Sequence, residues 1–240
     1  MTAVVLQARI DSSRLPGKAL LPLGGKPVVL RVMEALNHIH ADMRILACPE
    51  DSRRDFEPLV QEACAANAAC AASESAHNAG FEIFTGPKDD VLKRFCDVIK
   101  KYSITRLIRA TGDNPFVFID AASVINNEAT VLNADYAGYA ELPYGAGVES
   151  VNAPALLRAE NESSHPYDHE HVCPYLYNNP QIFNIHRLSA PVQWRYPDIR
   201  LTIDTQEDYE HAQKLYCALP QDCRRYNGET IIKKYLEIFH

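Results

Sequence analysis

No stretch of the sequence reaches the roughly 18 consecutive apolar residues of a membrane span, and Met1-Thr2-Ala3 runs into a short apolar segment without the features of a secretory leader. A cytoplasmic protein with no membrane partner is expected. Cationic charge is also scarce. The 24 lysines and arginines face 31 acidic residues, for a formal net charge of -7 and a pI near 5.7, which argues against the broad basic face of a nucleic-acid binder. The seven cysteines are odd in number and form no C-x-x-C pair, so neither a disulfide framework nor a zinc knuckle is signalled and the thiols read as reduced. Walker A, G-x-G-x-x-G and H-E-x-x-H spacings are missing, and neither an internal repeat nor a Pro/Ser linker divides the chain.

Positive charge is instead concentrated locally. The apolar run Ala3-Val4-Val5-Leu6 reads as a buried strand emptying into a loop that carries Arg9, Arg14 and Lys18 against one acid, Asp11. A polyphosphate needs several cations together, because its neighbouring charges repel and their water must be displaced. Gly17 allows close backbone approach, Ser12 and Ser13 offer hydroxyls and amides, and Pro16 stiffens the turn before Lys18. The alternative is a solvated basic loop.

Downstream, Gly24 to Pro27 reads as a turn into a helix carrying Val28, Val32, Ala35, Leu36 and Ile39, and residues 44–48 read as a strand. Strand, helix and strand at this spacing form a βαβ unit. Ser52 and Asp55 fit a capping box for a helix running into the Ala-rich stretch 63–72. Residues 81–84 form a short apolar segment, and Asp89-Asp90 cap a helix whose buried stripe is Val91, Leu92, Phe95, Val98, Ile99 and Tyr102. Residues 105–110 read as a central strand ending at Asp113, where ligands of open parallel sheets gather. Asp113 either satisfies its own turn or faces a polyphosphate across a divalent cation. A helix over 121–132, a strand over 134–139, a Gly-rich loop at 143–147 and a strand over 148–151 follow. Further strands are expected at 182–185, 192–195 and 200–204, with Asp204 at the end of the last. Thr205 and Asp208 cap a helix bearing Tyr209, Ala212, Leu215 and Tyr216, and the chain closes on an amphipathic helix with Ile231, Ile232, Tyr235, Leu236 and Phe239 on one face. His169 and His171, two apart, cannot share a helical face, which disfavours a zinc site. The fold class is therefore α/β, a Rossmann-like mostly parallel sheet flanked by helices, with a small antiparallel lobe.

The string QARIDSSRLPGKALLPLGGKP from Gln7 to Pro27 closely resembles the opening of sugar-activating cytidylyltransferases of the spore-coat polysaccharide biosynthesis protein F type, related to the 3-deoxy-manno-octulosonate and acylneuraminate cytidylyltransferases. The resemblance recurs at Gly86-x-x-Asp89-Asp90-Val91-Leu92-x-Arg94-Phe95, at Thr111-Gly112-Asp113-Asn114-Pro115, at His169-Glu170-His171-Val172-Cys173-Pro174-Tyr175, and in RLTIDTQEDYE from Arg200. It departs at His169, where Arg is usual, and at Cys173, where Thr is usual.

The resemblance implies a nucleotide-diphospho-sugar transferase architecture and transfer of CMP from CTP to a sugar or sugar acid, with Mg²⁺ as cofactor. It implies nucleotide binding by Gln7, Ala8, Arg9, Ser13, Arg14, Gly17, Lys18, Gly86 and Asp113, with Arg9 and Lys18 catalytic. Asp113 and Asp204 would hold metal, and Glu149, His171 and Tyr175 the acceptor. It further implies a homodimer, one domain over 1–240, and an acceptor-binding and dimerisation lobe over 135–195. The rivals are a metal-dependent glycosyltransferase, for which residues 111–113 offer one Asp instead of Asp-x-Asp, and a nucleotide-binding module without catalysis.

Overall fold

The computed structural model describes residues 1–70 and 80–239. In chain order the elements are β1 (Thr2–Gln7), β2 (Pro22–Leu23), β3 (Lys26–Pro27), α1 (Val28–Leu36), β4 (Met43–Pro49), α2 (Arg53–Cys70), β5 (Phe81–Gly86), α3 (Val91–Tyr102) and β6 (Arg106–Thr111). Then come α4 (Ile119–Val131), β7 (Tyr136–Ala140), β8 (Glu149–Asn152), α5 (Ala153–Glu162), α6 (Pro166–His171), α7 (Pro174–Tyr177), β9 (Ile185–Ser189), α8 (Gln206–Ala218) and α9 (Gly228–Phe239).

Seven strands form one sheet in the order β5-β4-β1-β6-β8-β7-β9. The first four are mutually parallel, as βαβ connections require. β8 runs against both β6 and β7, while β9 is parallel to β7. The antiparallel part of the 135–195 region is thus β8, built into the main sheet, and a separate two-stranded antiparallel sheet joins β2 to β3.

β1 lies at the centre because its side chains are apolar on both faces. Val4 and Leu6 pack with α1 and α4 residues such as Val29, Met33 and Ile125, whereas Ala3 and Val5 pack with α3 and α5 residues such as Phe95, Val98 and Leu156. A third cluster joins Leu201 and Ile203 to α8 and α9. Each fully buried side chain of this size contributes about 1.5–3 kcal/mol, so both sheet faces favour the same strand order.

The expected caps form at two helices. Asp90 accepts from the Lys93 amide at 2.8 Å, and Thr205 and Asp208 make a reciprocal capping box for α8. Ser52 does not follow its expectation: its hydroxyl donates to the Asp51 carboxylate at 3.0 Å in a 3-10 turn before α2. Residues 71 and 72 of the Ala-rich stretch lie outside the described residues.

Three expected strands also differ. The strand expected at 182–185 begins only at Ile185. Residues Val192–Trp194 form a 3-10 turn after Pro191, with Trp194 buried edge-on to Tyr139. Residues 200–204 join no strand of the sheet: Arg200 makes an isolated parallel bridge with Tyr144, and the segment donates to loops, the Leu201 amide to the Tyr144 carbonyl (2.8 Å) and the Ile203 amide to the Asp113 carbonyl (2.9 Å). Alternating hydrophobicity cannot tell an extended segment laid over loops from one paired in a sheet.

His169 ties α6 to the start of α3. One ring nitrogen lies 2.9 Å from Asp90 Oδ1 and the other 3.1 Å from the Ser163 carbonyl. Both partners are acceptors, so both contacts are satisfied only by the protonated ring. The Ser163 contact, then that to Asp90, raises the His169 pKa above 6.5. A raised folded pKa contributes stability that is complete below the unfolded value and disappears as pH climbs through the folded one. His169→Ala should therefore lower Tm by on the order of 2–4 °C at pH 6 and by distinctly less at pH 9. Equal losses in melts at the two pH values would show that the tie does not depend on charge.

Candidate active site

A cavity of about 710 Å³ opens at the carboxyl ends of β1 and β6, at the point where the chain, having added β4 and β5 on one side of β1, returns to add β6 on the other. It falls within the usual size range of small-molecule sites, about 300–1,000 Å³. The loop after β1 forms one wall. Gly17, at φ 68°, occupies the left-handed region that glycine adopts without cost. Its amide closes the loop on the Ile10 carbonyl at 3.2 Å. Lys18 then opens a 3-10 turn over Lys18–Leu20, which aims its side chain across the cavity.

The Lys18 ammonium donates to Asp113 Oδ2 (2.6 Å), Asp204 Oδ1 (2.8 Å) and the Ile203 carbonyl (2.9 Å). Arg14 reaches Asp204 Oδ1 at 3.0 Å and Arg200 reaches Oδ2 at 2.9 Å. Burial works to raise the Asp204 pKa, but Lys18, Arg14 and Arg200 outweigh it and hold the carboxyl below its usual range. Asp208 caps α8 and also pairs with Arg200 at 2.7 Å. Asp11, the one acid of the basic loop, is engaged from outside by Lys88 at 2.8 Å. Arg9 lines the cavity, and no carboxylate among the described residues pairs with it.

Two carboxylates and a carbonyl are the hard oxygen donors that suit a small divalent cation. Asp113 Oδ1 has no hydrogen-bond partner among the described residues, and these contain no group of three or more His, Cys, Asp and Glu side chains that could hold a metal. Asp113 and Asp204 therefore fit a metal that arrives with phosphate and water oxygens as its remaining ligands. They do not form a closed protein cage.

A polar row crosses the sheet beside this cluster. Gln7 Oε1 accepts from Arg109 Nε (3.2 Å) and Nη2 (3.0 Å), Arg109 pairs with Glu149, and Glu149 accepts from the Tyr136 hydroxyl at 2.9 Å. Burial presses the Arg109 pKa down, but Glu149 outweighs it and the guanidinium stays charged. Cys173 is buried against the same pair, and burial followed by the Glu149 charge pushes its thiol well above its usual pKa. The thiol is thus held neutral and unreactive.

Of the residues singled out in the sequence, Gln7, Ala8, Arg9, Ser13, Arg14, Lys18, Asp113, Glu149, His171 and Asp204 all line the cavity. Gly17 acts from behind, through the loop's closure. Gly86 does not line it; a Cβ there would meet Arg94 Cγ at 3.0 Å, so this glycine makes room for that arginine. Tyr175 does not line it either. Its hydroxyl donates to Glu162 at 3.1 Å and its ring meets Phe183 edge-on, while Tyr177, two residues along a single helical turn, faces the cavity instead. Arg94, Arg109, Tyr144, Tyr167 and Glu170 also line it and were given no site role, although Arg94 and Glu170 stand in the motifs that carry the resemblance. Two of them left a trace in the sequence. Arg94 interrupts the apolar stripe of α3, three residues after Val91 and four before Val98, and Arg109 sits between Ile108 and Ala110 in a strand that otherwise reads as buried.

A family model described as cytidylyltransferase matches residues 3–231. The spore coat polysaccharide biosynthesis protein SpsF of Bacillus subtilis is 33% identical over 219 residues, covering 88% of this chain and 85% of that one. The 3-deoxy-manno-octulosonate cytidylyltransferase of Pectobacterium carotovorum is 31% identical over 158 residues, 64% of this chain and 55% of that one. Among solved structures, a cytidylyltransferase from Leptospira borgpetersenii superposes with a TM-score of 0.82 at 22% identity, covering 99% of this chain and 92% of the other.

Asp204 makes the site a source of pH-dependent stability. A lowered folded pKa contributes stability that is complete above the unfolded value, here near 3.8, and is lost as pH falls through the folded one. Asp204→Asn should lower Tm by on the order of 2–4 °C at pH 7, with the gap to the native protein closing below pH 3.8 as the native carboxyl protonates. Thermal melts across pH 3–7 test this, and a gap that stays constant would place the loss outside ionisation.

Proposed function

The chain belongs to the cytidylyltransferase family, and from that premise we propose that it transfers CMP from CTP to a hydroxyl of a sugar or sugar acid, releasing pyrophosphate, in surface-polysaccharide biosynthesis. The observation that carries this reading is the Lys18 ammonium held between Asp113 and Asp204 at the wall of a cavity rimmed by further arginines. In the reaction an acceptor oxygen forms a bond to the α-phosphorus, the bond from that phosphorus to the bridging oxygen breaks, and the acceptor's proton leaves to solvent or base. Such a displacement needs positioning and charge neutralisation more than covalent catalysis.

Arg9, Arg14 and Lys18 would bind the triphosphate, and Lys18 would oppose the charge that grows on the departing pyrophosphate. Asp113 and Asp204 would hold a divalent cation, Mg²⁺ by the hardness of their oxygens, which when bound supplies further neutralisation of the phosphates. Glu149 and His171, with the tyrosines around them, would face the acceptor. No described helix is long and apolar enough to cross a membrane. We extend the proposal to a cytoplasmic homodimer of one nucleotidyltransferase domain over 1–240, with residues 135–195 supplying acceptor contacts and the seam between copies.

Pyrophosphate release with Mg²⁺, each of the four ribonucleoside triphosphates and a panel of sugar acids and amino sugars tests the reading. Release with CTP and one acceptor is expected, and Lys18→Ala, checked for folding by its melt, should lower kcat by about 100-fold or more. If neither turnover nor calorimetric CTP binding is found, the assignment fails.

A further inference from the structure

Helix α6 brings Tyr167, Glu170 and His171 into the lining of the cavity, yet none of its six residues is buried. A short helix with no face in a core is held by its end contacts and by the side chains that cross to its neighbours. Two of its contacts stay within the same few residues: the His165 ring accepts from the Tyr167 amide at 3.2 Å, and Asp168 accepts from the Ser163 hydroxyl at 2.6 Å. Beyond its end, Val172 and Cys173 are buried. Among the described residues, the side-chain hydrogen bond that joins α6 to another helix is the one between His169 and Asp90, the cap of α3.

Few charges face that ring. Asp90 does so from α3 and Asp168 from α6 itself, and both favour the imidazolium. Of the α3 cations nearby, Lys93 is held by Asp97 at 2.8 Å and Arg94 donates to the Pro87 carbonyl. The neighbouring helix α7 brings tyrosines and no charge. A neutral imidazole has one donor, so it would meet either the Asp90 carboxylate or the Ser163 carbonyl lone pair to lone pair. Position 169 is also where the resemblance expects arginine, which stays charged and donates in several directions. Histidine makes the same tie conditional on pH.

We propose that His169 is a positioning residue for the acceptor: as imidazolium it clamps α6 against the start of α3, and its deprotonation releases the wall that carries Tyr167, Glu170 and His171. The acceptor then binds more weakly as pH rises, while the loop after β1 keeps its place. The kinetic consequence rests on the cytidylyl-transfer reading above. The release of the helix does not.

Two variants, each checked by thermal melt, separate charge from shape. His169→Arg keeps a cation with several donors, and His169→Gln leaves a neutral group with one donor end and one acceptor end. Hydrogen exchange over residues 166–173 is compared between proteins at pH 6 and pH 9, as a ratio at each pH so that the intrinsic pH dependence cancels. The native and His169→Arg proteins should match at pH 6, with the native segment exchanging about 10-fold faster at pH 9. His169→Gln should exchange fast at both. In pyrophosphate release with CTP, Mg²⁺ and the panel sugar that turns over, the native acceptor KM should rise by about 10-fold from pH 6 to pH 9 relative to His169→Arg, with KM for CTP moving alike in the two proteins. Exchange or acceptor KM that runs parallel in the native and His169→Arg proteins overturns the proposal, as does a divergence confined to CTP. If neither turnover nor CTP binding is found, the transferase reading falls, and the exchange ratio alone decides whether His169 clamps α6.

Discussion

The Lys18 ammonium lies between carboxylates 95 and 186 positions away in the chain. Two carboxylates this close repel unless a cation stands between them, and a lysine this enclosed is unfavourable unless oxygens surround it. Each partner therefore needs the other, and the contact fixes three segments that share no secondary structure: the loop after β1, the turn after β6 and the irregular segment before α8. The Ile203 amide bonded to the Asp113 carbonyl holds the last two together from the backbone. These three segments form one side of the cavity, and α3, β8, α6 and α7 supply further lining.

Charge is distributed unevenly around that space. The protein as a whole is acidic, but the loop's only acid is drawn outward by Lys88, and Arg9 and Arg94 line the cavity without carboxylate partners among the described residues. Arg109 is treated differently, being fully matched by Glu149 and Gln7. Unpaired and paired cations thus line the same cavity. The matched row Gln7–Arg109–Glu149–Tyr136 can then act as a rigid polar base, because each member is satisfied by a neighbour on the adjacent strand.

Much of the fold was legible because its signals are local. β1, β4 and β6 are short runs with apolar side chains on both faces, α3 has a full buried stripe, and the caps at Asp90 and Thr205 need only residues within one turn. The basic loop was legible for the same reason, since Arg9, Arg14 and Lys18 lie within ten residues. The segments at 192–195 and 200–204 read as strands because alternation looks the same whether the partner is a sheet or a pair of loops. Tyr175 was carried over on wording, and a single helical turn sends it to the outside while Tyr177 faces in. Arg109 was visible only as a charge set in apolar surroundings, and Arg94 as such a charge within a motif of the resemblance, patterns that mark a residue as unusual without saying what it meets.

By itself, then, the sequence determined the elements of the parallel half of the sheet and the cationic loop, because propensity, periodicity and capping act between residues a few positions apart. Only the tertiary structure decided that Asp113 and Asp204 meet on one lysine, that Gly86 clears space for Arg94, and which tyrosine faces the cavity. Those are contacts between segments up to 186 residues apart, and no local free-energy term distinguishes them until the sheet order has brought the carboxyl ends of its strands to one edge.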